Sequence, residues 1–213
     1  MTEAKQVLRE RMLQRRESLE AGYARGAAER LAGRVTALAE FRAARVVLGY
    51  LALPREVNAD AILAAAWRAG KRVAVPARAP DGEYRPAWLE PASRLRAARF
   101  GVREPEAPAW ADGALFDVAI LPGVVFSPAG GRIGHGRGYI DRMLARLGGR
   151  VACRVGVCFH CQVAESVPAT GHDVPMDVVV TEDAVYRAAE RQDGGVTNET
   201  GRRPGLKGGA TCG

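Results

Sequence analysis

Four short stretches of this chain are apolar almost without interruption: Arg45-Val-Val-Leu-Gly-Tyr-Leu-Ala52, Asp117-Val-Ala-Ile-Leu-Pro122, Arg154-Val-Gly-Val-Cys-Phe159 and Met176-Asp-Val-Val-Val-Thr181. Each has strand length. A strand with one wet face alternates polar and apolar residues; these do not, so both of their faces must be covered. Helical patterns separate several of them, and Arg72-Val-Ala-Val-Pro76 adds a further strand. Strand, helix, strand alternation with uniformly apolar strands predicts an α/β fold: an open, mainly parallel sheet flanked by helices.

The helices are read from their spacing. Residues 3–20 form an amphipathic pattern with Val7, Leu8, Met12 and Leu19 as its apolar positions. Residues 24–40 form a second, with Ala28, Leu31, Val35, Leu38 and Ala39. Asn58 suits an N-cap for a helix over 59–69 that Gly70 ends. A last helix is expected over 138–147. Residues 78–114 are rich in Pro, Arg and Ala and predict short strands and loops. There is no internal repeat. Residues 1–189 read as a single catalytic domain. From about Glu190 glycine dominates and large apolar side chains almost vanish, which predicts a disordered tail over 190–213.

No apolar run approaches the ~20 residues of a membrane helix. The N-terminus lacks the basic segment and apolar run of a secretory signal, so the expectation is a cytoplasmic protein with no membrane partner. The net charge of +7 rests on 28 arginines against three lysines. Basic charge suits an anionic ligand or nucleic acid. Residues 1–45 carry ten basic residues but only Tyr23 and Phe41 as aromatics, which argues against nucleic acid. Four cysteines do not make a disulfide framework in a chain of 213 residues. Cys158-Phe-His160-Cys161 has no second pair at zinc spacing, so buried thiols are expected rather than a metal site.

The segment from Gly130 to Asp141 carries the most chemistry. Gly130, Gly131, Gly134, Gly136 and Gly138 lie between a strand and a helix, with Arg132 and Arg137 among them. Glycines let backbone N–H groups approach a ligand, and a helix start adds unpaired donors and partial positive charge, so phosphate would be favoured. The spacing is neither GxxxxGK[ST] nor GxGxxG, and a turn explains the glycines as well. Asp141, in the first helical turn, suits either the helix dipole or a Mg²⁺ ion beside phosphates. His172-Asp173 offers a second carboxylate. Lys5 and Arg9 share a helix face, suited to polyphosphate or to solvent. Glu56 follows the first strand, at the strand ends where open α/β sheets bind ligands.

Together these residues resemble the 5-formyltetrahydrofolate cyclo-ligase family. Lys5-Gln-Val-Leu8-Arg9 matches its N-terminal KxxLR, and Glu56 its acidic residue after the first strand. Leu121-Pro-Gly-Val-Val-Phe126 resembles its PGxxF segment. Arg132-Ile-Gly-His-Gly-Arg-Gly-Tyr-Ile-Asp-Arg142 resembles its R-[LI]-G-x-G-x-G-Y-Y-D-R signature. Gln162, Pro168, His172-Asp173, Asp177 and Thr181-Glu182 fit its C-terminal pattern. The resemblance runs from Lys5 to about Val185. It implies a fold of the NagB/RpiA/CoA-transferase type. The implied reaction is conversion of ATP and 5-formyltetrahydrofolate to ADP, phosphate and 5,10-methenyltetrahydrofolate, with Mg²⁺.

Carried over by position, Lys5, Gln6, Val7, Leu8 and Arg9 would bind ATP, together with Arg132, Ile133, Gly134, His135, Gly136, Arg137, Gly138, Tyr139 and Ile140. Leu51, Glu56 and residues His135, Gly136, Arg137, Gly138 and Tyr139 would contact the folate. Asp141 and Asp173 would hold Mg²⁺. A reduced folate and ATP are then the only partners expected, with no nucleic acid, for a monomer. Three positions depart from the pattern: Ile140 replaces the second Tyr of GYYD, Ser127 stands where the family often has Asp, and His135 occupies a variable position. Rival readings are an ATP-dependent paralogue with another substrate and a non-catalytic nucleotide- or metabolite-binding module.

Overall fold

A mixed sheet of eight strands forms the centre of the computed structural model, ordered β12-β11-β10-β7-β1-β2-β3-β6. The described residues are 2–98, 101–171 and 173–189; the tail over 190–213 and His172 lie outside them. Five strands run parallel: β1 (Val46–Leu48), β2 (Arg72–Arg78), β7 (Phe116–Pro122), β10 (Val151–Val157) and β11 (Val178–Val180). Antiparallel strands close the two edges, β12 (Val185–Arg187) on one side, β3 (Tyr84–Trp88) and β6 (Ala109–Trp110) on the other. Four small strands stand apart in two hairpins, β4 (Leu95–Ala97) with β5 (Arg103–Pro105) and β8 (Val125–Phe126) with β9 (Arg132–Ile133). The expected sheet is therefore present, and the region 78–114 does consist of short strands and loops.

Strand alternation explains why the apolar runs are continuous. Val47, Val73, Val75, Val118, Ile120, Val155, Val157, Val178 and Val180 point to one side and pack with α2 (Ala21–Ala37) and α4 (Asp60–Arg68). Leu48, Ala74, Ala119, Leu121 and Val179 point to the other and pack with Met143, Leu144 and Leu147 of α5 (Tyr139–Leu147). Both faces are covered, as uniformly apolar strands require.

Three boundaries differ from expectation, each for a local reason. The first apolar run pairs as a strand only to Leu48, because the chain turns at Gly49, where a Cβ would lie 2.4 Å from a Leu63 methyl group. The second helix breaks at Leu38 (φ −58°, ψ 138°) before the short α3 (Ala39–Ala43), and Ala39 is exposed. Helix α1 spans Glu3–Glu17, and its expected apolar stripe is only partly its buried face: Met12 is buried and Leu8 packs in the same cluster. Val7 is 61% exposed, whereas Lys5, Arg9, Met12 and Arg16 are buried. At α4 the expected signals hold: Asn58 Oδ1 accepts the Asp60 N–H at 2.8 Å, and Gly70 (φ 71°) ends the helix.

Among the parallel strands the order is β11-β10-β7-β1-β2, so the chain's winding reverses between β7 and β1. Open α/β sheets bind ligands beyond the carboxyl ends of the strands at such a switch point. The glycine-rich loop is fastened there. Gly130 (φ 85°) donates no room to a side chain: a Cβ would lie 2.2 Å from the Met176 carbonyl oxygen, and the Met176 N–H bonds to the Gly130 oxygen at 2.8 Å. We predict that Gly130→Ala destabilises the protein by roughly 2–3 kcal/mol through positive φ and this clash. Chemical denaturation measures it; wild-type stability would contradict the fit described.

Candidate active site

The crevice at the switch point is a cavity of about 370 Å³. Its floor comes from strand ends and the turns after them, Tyr50, Leu51, Pro76 and Pro122. One wall is the loop and helix start from Arg132 to Asp141. Glu56, Tyr84 and Arg103 also line it.

The loop is built for close approach of backbone to a ligand. Gly136 (φ 92°) and Gly138 (φ 65°) adopt left-handed conformations, and Gly138 is the N-cap of α5 without any side-chain cap bond. The first N–H groups of α5 are thus left for a ligand, on the positive end of the helix dipole. Arg132 is buried. Its Nη2 bonds to Asp141 Oδ1 at 2.5 Å and its Nη1 to the Pro122 carbonyl at 3.3 Å, while Nε has no partner. Asp141 also lies within 3.5 Å of the Val174 N–H, which brings it beside the segment that carries Asp173.

Helix α1 delivers its buried cations to the same place. Lys5 Nζ pairs with Asp173 and lies 3.4 Å from Thr170 Oγ1. Arg9 Nε donates to the Gly134 carbonyl at 2.9 Å, and its Nη1 to Gln6 Oε1 at 2.5 Å. Leu8 and Ile133 pack in a small apolar cluster with Met12, Val124 and Val125. Lys5, Gln6, Leu8 and Arg9 are thereby joined to the loop, but Val7 turns its side chain to solvent. The carry-over to Val7 therefore brings no side chain to the site.

Glu56 has a nearly dry carboxylate, 5% exposed. One oxygen accepts the Leu53 N–H at 2.9 Å, and the other lies 3.1 Å from His135 Nε2. Tyr139 stacks obliquely on Tyr84, ring centroids 5.0 Å apart. Burial raises the Tyr84 phenol above its ordinary pKa, and Glu104 adds to this by charge and by a hydrogen bond. Burial pushes the Cys153 thiol up to about 11, Cys158 well above its ordinary value and Cys161 above it. Among the described residues no group of three or more His, Cys, Asp or Glu side chains converges.

The model of the 5-formyltetrahydrofolate cyclo-ligase family matches residues 1–182. The chain belongs to that family. It is an enzyme of the cyclo-ligase class. It is 31% identical to the 5-formyltetrahydrofolate cyclo-ligase of Mycolicibacterium smegmatis, over 84% of this chain and 93% of the relative. It is 32% identical to the Escherichia coli cyclo-ligase over 67% of this chain and 81% of the relative. The solved 5,10-methenyltetrahydrofolate synthetase of Aquifex aeolicus superposes with a TM-score of 0.74 at 29% identity, covering 92% of this chain and 98% of that one.

Within the family's C-terminal pattern, Gln162, Asp177 and Glu182 act as scaffold. Gln162 is buried; its Nε2 donates to the Gly123 and Val124 carbonyls at 3.1 and 2.9 Å, and its Oε1 accepts the Phe159 N–H. Glu182 accepts Tyr23 Oη–H and the His160 N–H. Asp177 clamps Arg154. Of the departures, Ser127 is buried, and its Oγ accepts the Gly131 N–H at 3.1 Å to hold the glycine turn. Ile140 lines the cavity and packs on the α5 side of the core. Tyr84 and Arg103 were not foreseen, because they lie in the irregular 78–114 region; Tyr84, an aromatic alternating with apolar residues in a short run, was the available signal.

Asp173 supplies a pH test. Burial works to raise its pKa, but hydrogen bonds from Lys5 and from the Thr170 N–H and hydroxyl outweigh it and hold the carboxyl below its ordinary range. A depressed carboxyl stabilises the fold above its unfolded pKa, and that share is lost as pH falls through the folded one. Wild type should therefore exceed Asp173→Asn in stability by a constant margin above about pH 5, narrowing only below about pH 4. A margin insensitive to acid would contradict the Lys5–Asp173 pairing.

Proposed function

We propose that this cavity performs the ATP-dependent cyclisation of 5-formyltetrahydrofolate to 5,10-methenyltetrahydrofolate. The observation that carries the reading is the convergence, in one cavity, of a cation-lined phosphate loop at a helix start with a buried carboxylate and an aromatic pair. The first half suits a nucleotide; the second suits a donor-rich, planar bicycle.

Lys5, Arg9 and Arg132 bring positive charge to the triphosphate, and the backbone from Gly134 to Ile140 lies along it. Gln6 and Leu8 hold these groups in register. Asp141 and Asp173 offer the hard oxygen ligands that Mg²⁺ prefers, and a Mg²⁺ site of one or two carboxylates is ordinarily completed by phosphates and water. When bound, the metal neutralises phosphate charge. Arg132 pairs with Asp141 and Lys5 with Asp173. The Glu56 carboxylate accepts from the ring N–H groups of the folate, with Leu51, His135 and Tyr139 bounding it.

The formamide oxygen is a poor leaving group. It attacks the γ-phosphorus of ATP, the bond to the β–γ bridging oxygen breaks, and ADP departs. The formyl carbon is now electrophilic. The N10 lone pair adds to it, N10 loses its proton, and the phosphate leaves with the former formyl oxygen. No nucleophile from the protein is needed; positioning and charge stabilisation suffice.

The test is appearance of the methenyl chromophore from 5-formyltetrahydrofolate. It should require ATP, and its absence with ATP and Mg²⁺ would overturn the reading. Asp141→Asn should lower kcat about 100-fold or more. Glu56→Gln should raise KM for the folate roughly 10–100-fold, the worth of a charged hydrogen bond, and leave KM for ATP unchanged. Equal effects on both KM values would remove Glu56 from the folate side.

A further inference from the structure

Glu56 also lines a second cavity, of about 500 Å³, between α1, α2 and the turn after β1. Leu19 and Phe159 give it apolar surface, and Arg16, Arg25 and Arg55 outnumber Glu29 and Glu56 around it. Arg16 is its unusual member. It is 5% exposed, and its Nε and Nη1 are buried with no hydrogen-bond partner. A guanidinium does not shed its proton to escape burial. The nearby Glu56 bonds to the Leu53 N–H and to His135 instead, and among the described residues Arg16 has no carboxylate within ion-pair distance.

The rim of the cavity is strained. Arg55 has a φ of 69° and is the one non-glycine residue with positive φ among those described. Such a conformation is disfavoured for a residue with a Cβ and tends to persist where a functional geometry requires it. It holds the Arg55 guanidinium over the cavity, where Nη1 reaches only the Leu19 carbonyl, at 3.5 Å.

We propose that this cavity is a second ligand site, for an oxyanion group, carboxylate or phosphate, carried on a small apolar body. Arg16 pairs with the anion at the base, Arg25 and Arg55 hold it at the rim, and Leu19 and Phe159 meet the apolar part. A planar guanidinium fork matches either oxyanion. Because Glu56 stands in the wall shared with the active site, occupancy also alters KM for the folate. That second consequence rests on the folate reading of Glu56; the binding does not.

Calorimetric titration of the full chain tests it, with benzoate and inorganic phosphate as separate probes. We expect saturable binding of at least one probe with Kd of about 1 mM or tighter. Benzoate alone binding marks the site as a carboxylate site, phosphate alone as a phosphate site. The double variant Arg25→Ala/Arg55→Ala, altered only at exposed positions, should weaken that binding about tenfold or more. Arg137→Ala, in the glycine-rich loop, should leave it within about twofold. Arg16→Met should abolish it; should that variant not fold, the double variant decides alone. The proposal is overturned if neither probe saturates, if the double variant binds as wild type does, or if Arg137→Ala costs as much as the double variant.

Discussion

Burial of positive charge against the glycine-rich loop is the constraint on which the site depends. Helix α1 turns Lys5, Arg9 and Arg16 inward beside Met12 and leaves Val7 outside, so its buried face is largely cationic. Buried cations are costly unless paired and hydrogen-bonded. Lys5 finds Asp173, Arg9 finds the Gly134 carbonyl, and Arg132 finds Asp141. These bonds tie the N-terminal helix, the loop and the segment after Thr170 together, although they are far apart in the chain. The same pairs hold both candidate metal-binding carboxylates in place.

The sheet makes this arrangement possible. The reversal of winding between β7 and β1 leaves a crevice, and polar clips hold the turns around it. Gln162 fixes the turn after β7, Ser127 shapes the glycine turn, and Glu182 joins α2 to the segment after β10. Much of the family pattern is therefore scaffold that positions the chemistry without touching it. Gly130 belongs to the same group, since only a residue without Cβ lets the loop lie against Met176.

The architecture was legible because parallel strands covered on both faces leave a strong signature, an apolar run without alternation. The loop from Arg132 to Asp141 was legible because glycine spacing, arginine and a helix start point the same way. Helix α1 was misread at Val7 because hydrophobicity assigns apolar residues to the inside, and here ion pairing to distant partners decides which face is buried. The second helix was read through Leu38 because a single break in ψ leaves no mark in composition. Tyr84 and Arg103 were invisible as site residues because the strands that carry them are short and their partners remote. Glu56 follows the first strand and lines the cavity, while its contact with His135, 79 residues away, arises only in the fold.

The fate of the formyl oxygen tests the proposed chemistry most directly. With 5-formyltetrahydrofolate labelled with ¹⁸O in the formyl group, mass spectrometry of the phosphate released during turnover should find the label there. Label appearing in water, with unlabelled phosphate, would contradict phosphorylation of the formyl oxygen and with it the reading of this cavity.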